Sequence, residues 1–450
     1  MLKKLEKWLM PVADALGRNK VLIAIRDGFL FTSPLVIVGS IFLLLANFPI
    51  EGWSGFWAKF FGEGWEKYLG AVTNATFSIV SLSTVIGVSY AYARELGGKQ
   101  LQSGLTGLVA YLILTPTKID FIQDDQVLGQ VSGLSFGKIG NNGIFLAMIV
   151  GLLSAKLLTW VYNKGWTIKM PAGVPPAVVD SFAAIIPSGL VMLTFFIVNI
   201  IFLNTSFGSA QEFIYTVLQA PLVNVGNTLG SLILYSLFSS LFWMFGINGP
   251  AVTNSIWSPI FRAISLENIA AYEAKLPLPH IFTGNFVDFF QTAGGGGSTL
   301  SLVIVMLLFA KSERIKQLGK LSLVPGIFGI NEPLIFGLPV VLNPIIAIPF
   351  ILTPIVNTTI SYIGFATNFI PKTSGITIPW ATPPVISGYL TTGSWRAAFL
   401  QLVFIIIGCF IYYPFIKILD KKYIEEEKNE ENKKDEIDDL SFDDLSIDDL

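Results

Sequence analysis

Cysteine, histidine and charge are all scarce in this 450-residue chain, and each scarcity removes a class of function. A single cysteine, Cys409, excludes an internal disulfide, a cysteine-rich metal centre and a Cys-x-x-Cys redox pair. A single histidine, His280, leaves no cluster for zinc or a di-iron centre. No cofactor and no metal are therefore expected. Charged residues make up 13% of the chain, against roughly a quarter in soluble proteins, and the formal net charge is −2. No nucleic-acid partner is expected from such a balance. The start, Met1-Leu-Lys-Lys-Leu-Glu-Lys, is basic but is not followed by the short apolar core and small-residue cleavage site of a secretory signal, so none is expected.

What is present is apolar surface. The chain is 52% hydrophobic with a mean hydropathy of +0.64, and its 36 Phe and 41 Gly suit a membrane protein that crosses the bilayer repeatedly. A basic, partly amphipathic lead-in occupies 1–27. Apolar segments able to cross ~30 Å of hydrocarbon follow at 28–47, 70–93, 101–116, 143–162 and 178–203, then at 224–246, 250–266, 284–310, 340–363 and 395–418. The fold class expected is an all-α polytopic integral membrane protein with about ten transmembrane helices. An even count puts both termini on one side. Arg94 with Lys99, Lys164 with Lys169, and Lys311, Arg314, Lys316 and Lys320 then fall in connections on that side, which makes it cytoplasmic. Arg262 and Lys275 run against the pattern, and 250–266 also contains Pro259 and Asn254.

Two stretches break the helical pattern. In 323–349, Pro325, Pro333, Pro339 and Pro344 alternate with Gly326, Gly329 and Gly337 while nearly everything else is apolar. Each interior proline removes a backbone donor, and irregular backbone survives at membrane depth only inside protein or beside a wet cavity. Glu332, the one carboxylate there, would cost about 2.5–3.5 kcal/mol at the centre of a lipid-facing helix on the insertion scale. The stretch 371–393 carries Pro379, Pro383 and Pro384 and is too apolar for a solvated loop. Both read as re-entrant hairpins, 323–340 and 371–393, meeting near the bilayer midplane; an interfacial loop is the competing reading of the first. The plan is then an N-terminal membrane half over 28–220, a C-terminal half over 221–420 and an acidic tail over 421–450. The tail ends in Asp-Asp-Leu repeats and is expected to be disordered.

Several motifs together resemble one family. Gly326-Ile-Phe-Gly-Ile-Asn-Glu-Pro-Leu-Ile-Phe-Gly-Leu-Pro, Met170-Pro-Ala-Gly-Val-Pro-Pro-Ala-Val-Val-Asp-Ser-Phe and Gly294-Gly-Gly-Gly-Ser-Thr-Leu are similar to enzyme IIC, the membrane subunit of bacterial sugar phosphotransferase systems, in its lactose, cellobiose and N,N′-diacetylchitobiose branch. Arg26-Asp-Gly and Pro379-Trp-Ala-Thr-Pro-Pro extend the likeness over residues 1 to 420. The resemblance implies a homodimer in the bacterial plasma membrane, with an N-terminal half that dimerises and a C-terminal half that holds a β-linked disaccharide. It also implies cytoplasmic IIB and IIA partners, IIB bearing the phosphocysteine that phosphorylates the sugar 6-hydroxyl.

The same resemblance places Glu332 at the sugar, as hydrogen-bond acceptor and as an aid to deprotonating the attacking hydroxyl. A carboxylate suits this role because charge-assisted hydrogen bonds are roughly twice as strong as neutral ones. A structural carboxylate at a half-helix amine end is the competing reading. Asn248, in Trp243-Met-Phe-Gly-Ile-Asn-Gly, stands where the family often has histidine; it reads equally as a sugar contact and as a helix-breaking Asn-Gly turn. Trp243 and Trp380 are candidate stacking platforms for pyranose faces. Asn331, Asn343 and Asn142 are further candidate hydroxyl partners. Gly294 to Gly297 lack the Lys-Ser/Thr ending of a phosphate-binding loop, so close packing is the reading preferred, and His280 is expected in solvent. The competing functions are an ion-coupled symporter that titrates Glu332, and a membrane receptor or regulator suggested by the acidic tail.

Overall fold

The computed structural model describes residues 18–443 apart from 49, 51, 124–125, 172, 339 and 341–342, together with 11, 15 and 16. Most of the lead-in 1–27 before residue 18, and the last seven residues of the tail, therefore lie outside the described residues. The first half of the chain builds α1 (Lys20–Ala46), α2 (Val80–Leu96), α3 (Gln100–Leu114), α4 (Ile144–Asn163) and α5 (Ile185–Leu203). The second half builds α6 (Leu229–Met244), α7 (Gly249–Glu273), α8 (Leu300–Phe309), α9 (Glu313–Ile327), α10 (Glu332–Gly337), α11 (Pro344–Ala366), α12 (Ile386–Thr392) and α13 (Trp395–Asp443).

The fold is mostly helical rather than wholly so. Between α3 and α4 the chain forms an antiparallel hairpin, β1 (Lys118–Gln123) with β2 (Gln126–Ser132), in which Lys118 faces Ser132 and a bulge falls between Phe121 and Ile122. Among the described residues, six helices are long and apolar enough to cross a membrane: Lys20–Ala46, Asn141–Asn163, Pro176–Leu203, Gly284–Phe309, Ile345–Ala366 and Trp395–Asn429. A seventh is added if Ala210–Gly226 and Leu229–Met244, bent by 76°, form one span. The expectation of about ten differs for local reasons. The segment 70–93 is split into Glu66–Asn74 and α2, α3 has only 15 residues, and α7 carries Arg262 and Glu267 among its apolar residues.

Small residues let the first-half helices approach closely, as packing in a bilayer requires. A Cβ on Gly87 would lie 2.6 Å from the Gly28 carbonyl oxygen, and one on Gly28 would lie 2.6 Å from Val88 Cγ2. The start of α1 and the end of α2 are also joined by ion pairing of Asp27 with Arg94. Gly87→Val is expected to destabilise the protein by ~1–3 kcal/mol through overpacking, read as a lower melting temperature in detergent; an unchanged melt would show that these helices separate freely.

The two halves share one apolar core. Phe29, Val36, Ile144 and Met148 belong to the same buried cluster as Phe261, Phe286, Phe365 and Phe404. The Thr377 backbone N–H also donates to Ser40 Oγ at 3.1 Å, fastening the stretch 371–393 to α1. That stretch is a hairpin in form. Its extended arm buries Thr373, Ser374, Ile376 and Ile378, its return arm is α12, and Ser374 N–H donates to Thr391 C=O at 3.0 Å.

The C-terminal tail departs from expectation, because α13 runs on as a helix to Asp443. Residues toward its C-terminal end grip the start of α9. The Asp420 carboxylate accepts from the backbone N–H groups of Lys311 and Ser312 at 2.8–3.0 Å, and Glu427 accepts from Ser312 Oγ (2.7 Å) and Arg314 N–H (3.0 Å). Arg314 lies over the Tyr423 ring, 4.6 Å from its centroid. Two carboxylates thus satisfy the orphan amide donors that every helix start leaves open.

Candidate functional site

The broken stretch around Glu332 is a helix, a tight turn and a second helix. α9 ends as Gly329 adopts φ +80°, with Gly329 N–H donating to Gly326 C=O and Ile330 N–H to Pro325 C=O. Glycine supplies that left-handed conformation at no steric cost. The Asn331 carbonyl then accepts from Leu334 and Ile335 to start α10, so Glu332 stands in its first turn.

Glu332 opens onto a cavity of about 530 Å³, within the range that holds small ligands. Its wall includes Trp243 from α6, Asn248 at the head of α7, Asn331 and Glu332 from the break, and Trp380 from the second hairpin. Five of the seven residues singled out from the sequence therefore share one cavity: Glu332, Asn331, Asn248, Trp243 and Trp380. Asn142 and Asn343 lie outside its lining. Asn343 is occupied in capping α11, its Oδ1 accepting from Ile345 N–H at 3.0 Å. Asn142 is exposed in the turn Asn141–Gly143 before α4, in the other half of the chain.

The individual groups are arranged as follows. Among the described residues, Glu332 has no hydrogen bond or ion pair, so its carboxylate is free for a ligand. Asn331 spends its amide N–H groups on Gly296 C=O (2.8 Å) and Thr299 Oγ1 (3.0 Å), clamping the glycine loop to the break. Asn248 does both jobs weighed for it: Oδ1 caps α7 by accepting from Ala251 N–H at 3.0 Å, and the exposed residue also lines the cavity. Trp380 is 61% exposed, its ring lies beside Gly329, and it lines the cavity. Trp243 is buried, and its indole N–H has no protein partner.

The glycine run is closely packed, as expected, and is also a wall of this cavity. Gly294, Gly295 and Gly297 have φ of +82°, +86° and +75°, and a Cβ on Gly297 would come within 2.3 Å of Phe350. Ala293 N–H donates to Ser298 Oγ, Ser298 N–H to Gly295 C=O and Leu300 N–H to Ala293 C=O, so amides around the loop are already engaged. Tyr412 OH donates to Gly297 C=O at 2.7 Å from the far side.

Two wall residues escaped the sequence reading. Asp288 sits in a π-helical turn, Val287–Gln291, with its side chain exposed to the cavity and no hydrogen bond or ion pair among the described residues. π-turns are rare and often occur at functional sites. The signal was available: an acid inside the apolar run 284–310 deserves the argument applied to Glu332. Gln401 is buried in α13 and joins three elements. Its Oε1 accepts from Val385 N–H (2.6 Å) and Gly388 N–H (2.9 Å), while Nε2 donates to Phe289 C=O (2.8 Å) and Ser387 Oγ (3.0 Å). His280 is also corrected: it is largely buried, paired with Glu267, because Asn268 on α7 bonds both its backbone N–H and its C=O.

Comparison with known proteins identifies the family. The family model for the phosphotransferase system, EIIC, matches residues 26–354. The chain is 38% identical over 428 residues to the lichenan permease IIC component of Bacillus subtilis (strain 168), covering 94% of each protein. It is 37% identical over 432 residues to a cellobiose-specific EIIC component of Geobacillus stearothermophilus, covering 95% of this chain and 96% of that one. Its fold is similar to the crystal structure of the transporter ChbC, the IIC component from the N,N′-diacetylchitobiose-specific phosphotransferase system. The TM-score is 0.92 at 39% identity, over 94% of this chain and 99% of the other.

Proposed function

Because the chain belongs to the phosphotransferase-system EIIC family, we propose that its cavity holds a β-linked disaccharide whose 6-hydroxyl lies beside Glu332. The protein is a sugar permease component of such a system and a multi-pass bacterial membrane protein. The observation that carries the reading is a carboxylate without a partner among the described residues, lining a cavity whose wall also includes two tryptophans. Relatives named for lichenan, cellobiose and oligo-β-mannoside support a β-linked glycan as cargo.

In this reading Glu332 accepts hydrogen bonds from hydroxyls at and near O6, while Trp380 offers a flat apolar face to a sugar ring. Asn248 and the side-chain Oδ1 of Asn331 are neutral partners for further hydroxyls. The phosphoryl group comes from the phosphocysteine of IIB, itself charged by IIA. The S–P bond breaks as the O6–P bond forms, and the hydroxyl proton passes to Glu332. Positioning supplies most of the acceleration in such transfers, which suits a site built on a clamped turn.

The finer architecture proposed is a homodimer with about ten crossings per subunit and both termini cytoplasmic. The N-terminal half forms the dimer scaffold, and the hairpins 323–340 and 371–393 reach the membrane interior. Proteoliposomes test the function. Phosphorylated IIB on the cytoplasmic face is expected to convert labelled lumenal cellobiose into sugar phosphate, and an imposed proton gradient is expected to do nothing. Accumulation of unmodified sugar driven by the gradient alone would establish the symporter instead.

A further inference from the structure

We propose that Asp288 is a specificity residue that admits neutral sugar and expels the phosphorylated product; the inference rests on the disaccharide reading of this cavity. The titratable side chains lining the cavity are Tyr235, Asp288 and Glu332. No Lys, Arg or His is among the lining residues. Sites that retain phosphate esters do so with arginine or lysine, and this one presents only negative charge.

The remaining polar lining shows that a carboxylate at 288 is not needed merely to accept a hydroxyl. Asn248, Asn254, Gln291 and Asn331 bring neutral amides to the same wall, whereas Gln401 is engaged elsewhere. An amide at position 288 would also carry a smaller insertion penalty within the apolar span Gly284–Phe309. What Asp288 adds is charge. A neutral disaccharide donates its hydroxyls to both carboxylates. Once phosphorylated, it carries about −1.5 to −2 charge at neutral pH. Its phosphate then lies in the same cavity as the Asp288 carboxylate, which has no cation beside it in the lining, and the like charges repel. Affinity falls at the moment of transfer, and the product leaves.

The test uses full-length protein in nanodiscs and displacement of labelled cellobiose by cellobiose or by cellobiose 6′-phosphate, at low and high salt. Wild type is expected to bind the phosphate ester weaker than the sugar by about tenfold or more, with the gap narrowing as salt rises. Asp288→Asn is expected to close the gap by about tenfold, and Asp288→Glu to restore it. The ratio of the two affinities is the readout, because a purely structural role would lower both together. Equal affinity of wild type for sugar and ester, or an unchanged ratio in a folded Asp288→Asn protein, overturns the inference while leaving the disaccharide reading intact. Failure of wild type to bind any β-linked disaccharide overturns both.

Discussion

Glu332→Gln is expected to weaken sugar binding by about a hundredfold or more, since hydrogen bonds to a charged group contribute about 1.5–3 kcal/mol each and a carboxylate can accept two or more from a sugar. The substitution keeps the shape of the side chain, and Glu332 has no protein partner among the described residues to lose. Folding and oligomeric state should therefore be unchanged. Isothermal titration with cellobiose, alongside size-exclusion chromatography, separates the two effects. A glutamine variant with unaltered affinity would move the sugar to another part of the molecule. A variant that binds but no longer turns over with phosphorylated IIB would instead assign Glu332 to proton transfer more than to recognition.

The second large effect belongs to a residue of stability. Gln401→Leu strips partners from Val385 N–H, Gly388 N–H and Phe289 C=O in one step. Each buried polar group left unsatisfied costs about 1–3 kcal/mol, so the sum is roughly 3–9 kcal/mol. Val385 increases the stakes. It adopts φ +74°, a conformation that β-branched residues avoid, and the hydrogen bond to Gln401 helps to hold it there. A fall of many degrees in the melting temperature is expected, together with loss of binding because α12, the Asp288 turn and α13 no longer share a common tie. Gln401→Glu keeps an acceptor oxygen for Val385 N–H and Gly388 N–H but loses the donor to Phe289 C=O, and is expected to fall between leucine and wild type. A leucine variant that melts with wild type would show that these backbone groups find other partners.

The membrane class and the heart of the site were legible in the sequence because both rest on local signals. Composition alone dictates a bilayer protein. Prolines and glycines flanking a lone acid mark a turn that apolar surroundings cannot tolerate unless it faces a cavity, and this signal led to Glu332. Asp288 was hidden by regularity, since 284–310 reads as an ordinary span while its backbone is a π-turn followed by a glycine loop. Gln401 was hidden because a neutral amide barely disturbs an apolar run, and its partners lie 13 to 112 residues away. The hairpin Lys118–Ser132 reads as a loop between spans, since its pairing is made outside any apolar segment. The helical extension of α13 was illegible for a similar reason: its anchors on α9 are more than 100 residues distant in sequence.

Those anchors carry a mechanical corollary. Helix α9 is seized by Asp420 and Glu427 at one end and leads into the turn bearing Glu332 at the other, a rod of 15 residues and about 22 Å. A push on the stem of α13 near Asp420 and Glu427 therefore works a crank whose far pin is the turn that carries Glu332.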